Sequence, residues 1–176
     1  MRCITAGSIE LGNDEVYYRM YAQYLQWNYF DHPPVVGWLI RFTTANLYFS
    51  HEFFIRSGAI ASAAITTWFI FLSGSKLNNA FTGYLAAIIY TATLYGSIIA
   101  GTFILPDSPQ MVCWAGGIYL LIDITKYNRV NRKQKRNLLL FGLIAGIGML
   151  CKIHTVFLWL GFLLYNVQHN RQWFKQ

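Results

Sequence analysis

The sequence has few charged residues for its length. Only 12% of its 176 residues are charged, whereas roughly a quarter are charged in an ordinary soluble domain. A soluble fold of this size has too little interior to bury a chain that is 55% hydrophobic. The composition therefore excludes an ordinary soluble domain and favours a protein embedded in a membrane.

Cysteine is also scarce. Cys3, Cys113 and Cys151 form no CxxC pair, and two of them lie in or beside apolar segments. An odd number without metal-type spacing predicts neither a disulfide framework nor a zinc site. The first nine residues contain no apolar stretch long enough for a signal peptide or a membrane anchor, so we expect that an upstream segment is missing.

The apolar residues come in long blocks. Residues 57–74 and 81–105 have no ionisable side chain except tyrosine, and blocks of about 20 residues match the thickness of the hydrocarbon core. Spans are therefore predicted at residues 57–74, 82–100 and 110–124.

A further apolar segment, residues 138–165, is interrupted by Lys152 and His154. One continuous span would put a charged lysine near the bilayer centre, at a cost of about 2.5 to 3.5 kcal/mol. We therefore predict two short helices that turn at residues 151–155 on the outer side of the membrane.

Two amphipathic stretches precede these spans. Residues 11–27 place tyrosines on one side of a helix and polar side chains on the other, as in a helix that lies at the membrane interface. Pro33 and Pro34 end this stretch. A second helix is predicted from Pro34 to Phe49, either as a short span or as another interfacial helix.

The basic residues indicate the orientation. Residues 126–136 contain several Lys and Arg but no acid, so the net charge of +7 reflects membrane topology, with this connector in the cytoplasm, and not a nucleic-acid partner. Residues 1–53 then form an outer loop, and residues 54–166 form the transmembrane helices. The predicted fold is all-α: a polytopic transmembrane bundle of about four to six membrane helices plus interfacial helices, in one partial domain over residues 1–176.

The same orientation places nearly all acidic residues on the outer side, which the positive-inside rule does not explain. These residues are Glu10, Asp14, Glu15, Asp31, Glu52 and Asp107. Structural roles are open to several of them. Asp14 and Glu15 suit the first turn of a helix, Asp31 suits a turn, and Asp107 can cap the helix that follows it.

Chemical roles are equally open. Asp14 or Glu15 could take a proton from an acceptor hydroxyl as a general base. Asp31 and His32 form a carboxylate–imidazole pair that could hold a divalent cation or contact a phosphate.

The outer cations complete the pattern. Lys152 and His154 form an ionisable pair in an apolar segment, which is a functional-site hypothesis by default, although such a lysine can also extend to the interface. Arg41 and Arg56 could be interface anchors. Because His32, Arg41 and Lys152 share one face with the carboxylates, the set suits a substrate with an anionic head and a lipid tail, such as a polyprenyl-phosphate sugar.

Four segments carry a family resemblance, and they occur in the order ELGNDEVYYRMYAQYL, YFDHPPVVGWLIR, GTFILPDSPQMVCWAGGIYLL and GLIAGIGMLCKIHT. Over about residues 10–165 the chain resembles the bacterial lipid-linked-sugar glycosyltransferases of the GT-C class. The most similar groups are the family-39 enzymes related to protein O-mannosyltransferases, the aminoarabinose transferase of lipid A, and the rhizobial core galacturonosyltransferases.

The resemblance implies a reaction and a set of site residues. An acceptor hydroxyl would attack the anomeric carbon of a polyprenyl-phosphate-linked sugar with inversion, on the outer face of the inner membrane. Asp14 and Glu15 match the catalytic pair, with Asp14 as base. The residues matched to substrate binding are Asp31, His32, Asp107 and Lys152, to which Arg41 is added. In the family, the corner matched by Asp31 and His32 is associated with a divalent metal or with contacts to the lipid phosphate. The acceptor would be a lipid, a polysaccharide or a protein.

Family members normally begin with a transmembrane helix before the Asp-Glu loop and continue for several hundred residues beyond the last span seen here. We therefore expect a fragment that lacks the first helix and the C-terminal half. Two alternatives remain open: a transporter fragment, with ionisable groups inside the spans, and a non-catalytic membrane scaffold, with scattered outer acids.

Overall fold

The computed structural model describes residues 2–126 and 131–169, and within them it contains helices and no strand. This confirms the all-α fold. The helices are α1 (Arg2–Ser8), α2 (Asn13–Gln23), α3 (Val35–Thr43), α4 (Glu52–Leu77), α5 (Ala80–Ala92), α6 (Asp107–Thr125), α7 (Arg132–Cys151) and α8 (Val156–His169).

Side chains just before the helices fix several of their starts. The Nδ1 atom of His51 accepts from the Phe53 amide at the start of α4, and Asn79 Oδ1 accepts from the Thr82 amide at the start of α5. Asn131 does the same for α7. Each of these caps satisfies an amide that has no partner within the helix.

The helix α3 ends six residues earlier than the sequence predicts. Ala45, Asn46 and Leu47 all adopt positive φ, with values of 48°, 63° and 66°, a conformation that side chains with a Cβ rarely adopt. The Leu47 amide donates to Thr44 Oγ1 and the Asn46 amide donates to the Arg41 carbonyl, which hold this left-handed turn. The prediction of a helix to Phe49 is therefore wrong.

The segment predicted as one span at residues 82–100 is also divided. The α5 helix ends at Ala92, Thr93 is extended, and a π-helical turn follows over Tyr95–Ile99. The Thr93 hydroxyl accepts from the Gly96 amide at 3.0 Å. A threonine hydroxyl that competes for backbone partners in this way favours a break in the helix.

The break in the last apolar segment lies where the sequence places it. The α7 helix ends at Cys151, Lys152 is extended, and a 3₁₀ turn over Ile153–Thr155 leads into α8. Phe141 of α7 packs against Trp159 of α8, with ring centroids 4.9 Å apart. The two helices therefore fold back on each other as a hairpin.

Among the described residues, α4 is the one helix that is both long and apolar enough to cross a membrane, and α5 is a shorter apolar helix. The number of spans and the division into outer loop and membrane helices stay predictions. Residues 127–130 of the basic connector and the tail from residue 170 lie outside the described residues.

A hydrophobic cluster joins the first fifty residues to the longer helices and so positions the site. Its buried members come from α2, α3, α4 and the segment before α6, and they include Tyr18, Tyr21, Ile40, Ile55 and Ile104. The helix α4 packs against both α5 and α6, and α6 packs against α7. The starts of α2 and α6 and the end of α7 are thereby held in one region.

Candidate functional site

A buried ion pair between Glu15 and Arg56 lies at the base of this region. Arg56 Nε donates to Glu15 Oε1 at 2.8 Å, and Nη2 donates to Oε2 at 2.6 Å. The remaining donors of the guanidinium bind the carbonyls of Ala6, Ile9 and Glu10. All five N–H groups of the arginine are therefore satisfied by protein atoms.

Glu15 is equally saturated. Besides Arg56, its carboxylate accepts from the amides of Gly12 at 3.0 Å and Ile104 at 3.1 Å. Burial alone would raise the pKa of Glu15, but the hydrogen bonds from Arg56, Gly12 and Ile104 outweigh it and hold the pKa below its ordinary value. Glu15 is thus a buried carboxylate that ties α2 to α4 and to the segment before α6.

Asp14, the neighbour of Glu15, lies in a contrasting environment. It is exposed, it has no hydrogen-bond or ion-pair partner among the described residues, and it lines a cavity of ≈470 Å³. Phe103 and Leu105 form part of the wall of this cavity. The carboxylate of Asp14 is therefore free to meet a ligand.

The second part of the site is built on Asp107, the first residue of α6. Lys152 Nζ lies 3.0 Å and 2.9 Å from the two carboxylate oxygens of Asp107, and the Tyr95 hydroxyl donates to Oδ1 at 2.8 Å. The Asp107 side chain therefore pairs with Lys152 instead of capping α6. These residues line a cavity of ≈390 Å³ together with Gln110, Met111, Trp114 and His154.

The third part is the corner that holds Asp31 and His32. Asp31 is exposed and accepts from the Tyr17 hydroxyl at 2.8 Å. Burial and the charge of Lys152 lower the pKa of His32, and Asp31 and Asp107 only partly offset this. The imidazole is therefore neutral at neutral pH, where one ring nitrogen can donate and the other can accept.

A metal ion would find few protein ligands here. The described residues contain no group of three or more His, Cys, Asp or Glu side chains placed to hold a metal ion. Asp31 and His32 would thus supply two ligands at most. A divalent metal at this pair stays a prediction, and no chemical step is derived through it.

Tyr18 shows that the three parts converge. Burial raises the pKa of Tyr18 to about 12, and the charges of Asp14, Asp107 and Asp31 contribute to the increase. In the same way, His32 experiences the charges of Lys152, Asp31 and Asp107. The geometry agrees for two of these carboxylates: Asp14 lies one helical turn before Tyr18 in α2, and the Tyr18 ring lies 5.8 Å from the ring of His32, next to Asp31. We call the three residues that act on Tyr18 the carboxylate cluster (Asp14, Asp31 and Asp107).

Arg41 is not connected with this cluster through any contact in the described structure. Its Nη1 donates to the Ala22 carbonyl at 3.1 Å, near the end of α2, and its Nε binds Asn46. Arg56, which the sequence offered as an interface anchor, is fully buried, so that interpretation is wrong. The contacts of Tyr17, Tyr18 and Tyr95 were also missed, since tyrosines are abundant in this sequence and spacing does not distinguish these three.

The sequence model of the dolichyl-phosphate-mannose-protein mannosyltransferase family matches residues 31–176. The chain belongs to this family, which is a family of GT-C-type membrane glycosyltransferases. The resemblance to the GT-C class is confirmed.

The matched range includes Asp31, His32, Asp107 and Lys152, whereas Asp14 and Glu15 precede it. Comparisons with curated proteins and with solved structures found no match.

Proposed function

We propose that the protein transfers a sugar from a polyprenyl-phosphate-linked donor to a hydroxyl group of a lipid, glycan or protein acceptor. The observation that carries the proposal is the convergence of the carboxylate cluster with Lys152 and His32. The general transferase activity follows from the family. The donor, the acceptor and the roles below are proposals.

In the proposed reaction, Asp14 is the general base. Its carboxylate accepts the proton of the acceptor hydroxyl while the hydroxyl oxygen forms a bond to the anomeric carbon. The bond between this carbon and the phosphate oxygen breaks, and the polyprenyl phosphate leaves with the electron pair. Attack from the face opposite to the phosphate inverts the anomeric centre.

Lys152 is suited to stabilise the departing phosphate. Its side chain is a quarter exposed, pairs with Asp107 and lines the ≈390 Å³ cavity. A fixed positive charge lowers the energy of the negative charge that develops on the leaving oxygen. The neutral imidazole of His32 can add a hydrogen bond without adding charge.

Glu15 contributes indirectly. Its oxygens already accept from Arg56, Gly12 and Ile104, so no oxygen is free to take a proton from an acceptor. Fixing Glu15 also fixes the first turn of α2, where Asp14 lies. We therefore assign the base to Asp14 and a positioning role to Glu15.

Both rival functions are less consistent with the described contacts. A transporter would be expected to place its ionisable groups within its spans, but Lys152 follows the end of α7 and pairs with Asp107 at the start of α6. A non-catalytic scaffold would not require its acidic residues to lie close together. Here the charges of Asp14, Asp31 and Asp107 all raise the pKa of one residue, Tyr18.

We also propose that the site faces the outside of the inner membrane, within a polytopic bundle. Large apolar side chains on α5, α7 and α8 are exposed, including Ile89, Leu139, Leu143 and Leu164. Surfaces of this kind are expected against lipid. At the opposite end of α4, Lys76 pairs with Asp123 at 2.9 Å, close to the basic connector that the positive-inside rule assigns to the cytoplasm.

The proposal is tested with membranes from cells that express or lack the native gene, supplied with a radiolabelled polyprenyl-phosphate sugar. Gene-dependent transfer of label, with release of an equal amount of polyprenyl phosphate, is expected. Gene-dependent transfer from a sugar nucleotide while lipid-linked sugar synthesis is blocked would contradict the proposed donor. Gene-dependent movement of a solute without transfer would favour a transporter.

A further inference from the structure

The hydroxyl group of Tyr18 has no hydrogen-bond partner among the described residues, although the residue is only 7% exposed. The hydroxyl oxygen itself is not fully buried. A tyrosine whose ring is buried normally finds a partner for its hydroxyl. The Tyr18 hydroxyl is therefore open to solvent and has no partner within the described structure.

The ring of Tyr18 is held firmly in place. It contacts the rings of Tyr17, Tyr21 and His32, with centroids 5.6, 5.5 and 5.8 Å away. Its buried face belongs to the cluster that includes Ile55 and Ile104. The direction of the hydroxyl is therefore fixed before any ligand binds.

The electrostatic surroundings of this hydroxyl define the ligand that it can bind. Because burial and the carboxylates of Asp14, Asp31 and Asp107 raise the pKa of Tyr18, the hydroxyl stays protonated and neutral. An anion such as a phosphate would be repelled by Asp14 and Asp31, whereas the charge of Asp107 is compensated by its ion pair with Lys152. A neutral group with many hydroxyls is favoured, because carboxylates accept its hydrogens and Tyr18 can donate to one of its oxygens.

We propose that the Tyr18 hydroxyl donates a hydrogen bond to an oxygen of the donor's sugar, so that the sugar lies beside Asp14 and Asp31 and the phosphate lies beside Lys152. This inference rests on the proposed function, since it assigns the two halves of a lipid-linked sugar to two parts of the same site. Tyr18 is thus a substrate-binding residue, and it distinguishes the sugar-bearing lipid from the bare lipid phosphate.

The test is equilibrium binding to the purified full chain in lipid nanodiscs. The probes are dolichyl phosphate, dolichyl-phosphate mannose and dolichyl-phosphate glucose. Wild-type protein is expected to bind at least one sugar lipid more tightly than dolichyl phosphate. Tyr18→Phe should raise the Kd for that sugar lipid about fivefold, the ratio expected for one neutral hydrogen bond, and leave the Kd for dolichyl phosphate unchanged.

Two control variants sharpen the result. Tyr48→Phe removes a hydroxyl from an 81% exposed tyrosine and should leave all three Kd values unchanged. Lys152→Met should weaken all three lipids, since each carries the phosphate. Because the Tyr18 hydroxyl has no partner, Tyr18→Phe should also fold with unchanged stability, so a change in lipid preference cannot come from misfolding.

Each failure has a separate meaning. If wild-type protein binds none of the three lipids, the proposed donor class is wrong and Tyr18 has no sugar to bind. If it binds all three equally, there is no sugar subsite. If it prefers a sugar lipid and Tyr18→Phe keeps that preference, or weakens bare and sugar-bearing lipids alike, the assignment of Tyr18 is wrong while the proposed function stands.

Discussion

Replacing Arg56 by methionine removes the only cation that the structure pairs with Glu15 among the described residues. The Glu15 carboxylate would keep the amides of Gly12 and Ile104 but lose two charge-assisted hydrogen bonds, at 2.8 and 2.6 Å. The carbonyls of Ala6, Ile9 and Glu10 would lose their donor as well. Removing one partner of a buried pair costs about 3 to 5 kcal/mol, because the other charge stays buried without compensation.

The free energy of unfolding, measured by denaturant titration of the purified protein in detergent, should therefore fall by about 3 to 5 kcal/mol in Arg56→Met. Arg41→Met is the matched control. Arg41 is half-buried and binds the Ala22 carbonyl and Asn46, with no carboxylate partner, so about 1 kcal/mol should be lost. In the double variant Glu15→Leu with Arg56→Met, the free energy of unfolding should fall by less than the sum of the two single losses. Each single variant leaves one buried charge without its partner, whereas the double variant leaves no buried charge. A loss below 1 kcal/mol in Arg56→Met would refute the reasoning.

The same pair predicts a dependence on pH. The pKa of Glu15 in the folded protein lies below its ordinary value of 4.5. Its contribution to stability is therefore fully present above about pH 4.5 and is lost as the pH falls through the lower folded pKa. In Glu15→Gln this part of the acid sensitivity should disappear, and an unchanged acid profile would show that other groups cause it.

Three further predictions concern the site, the helix packing and the topology. Lys152→Met should lower the transfer rate at least tenfold, whereas Lys152→Arg keeps the charge and should retain part of the activity; an unchanged rate in Lys152→Met would remove Lys152 from the leaving-group role. Gly83→Ala should destabilise the protein by about 1 to 3 kcal/mol, because the new Cβ would overlap the Phe71 carbonyl oxygen. The control Gly146→Ala should not, because a Cβ at that position has no neighbouring atom within 4 Å. Equal effects of the two substitutions would contradict the close approach of α4 and α5. In intact cells that express a Cys3→Ser variant, which removes the exposed native cysteine, a cysteine introduced at Asn13 should react with a membrane-impermeant reagent and one within residues 126–136 should not. The reverse pattern would overturn the orientation.

Much of the fold follows from local patterns in the sequence. The long apolar run after His51 predicts α4, and the isolated lysine in an apolar segment predicts the break at Lys152, because burying that charge in mid-helix is costly. By contrast, the left-handed turn at Ala45–Leu47 and the division of the second apolar block at Thr93 arise from side-chain hydrogen bonds to the backbone. Such contacts compete with helix formation without changing the hydrophobic pattern.

The candidate site could be predicted in part. An apolar chain has few acids, so the sequence draws attention to Asp14, Asp31 and Asp107. The only reason in the sequence to expect them close together is that the predicted topology places all three on the same side of the membrane. The different environments of Asp14 and Glu15 cannot be predicted from the sequence, since the two residues are adjacent and both carry a carboxylate. They differ because α2 turns one carboxylate towards Arg56, 41 positions further along the chain, and leaves the other exposed.

The central claim is that Asp14 acts as the base for sugar transfer. The most direct test is the transfer rate of Asp14→Asn, measured in membranes from cells in which the native gene carries this substitution. Asparagine keeps the size of the side chain but cannot take the acceptor's proton, so transfer should fall by about 100-fold or more at an unchanged protein level. Glu10→Gln, which neutralises a nearby acid in the wall of the same cavity, should transfer sugar at the wild-type rate. Near-normal transfer by Asp14→Asn would contradict the account.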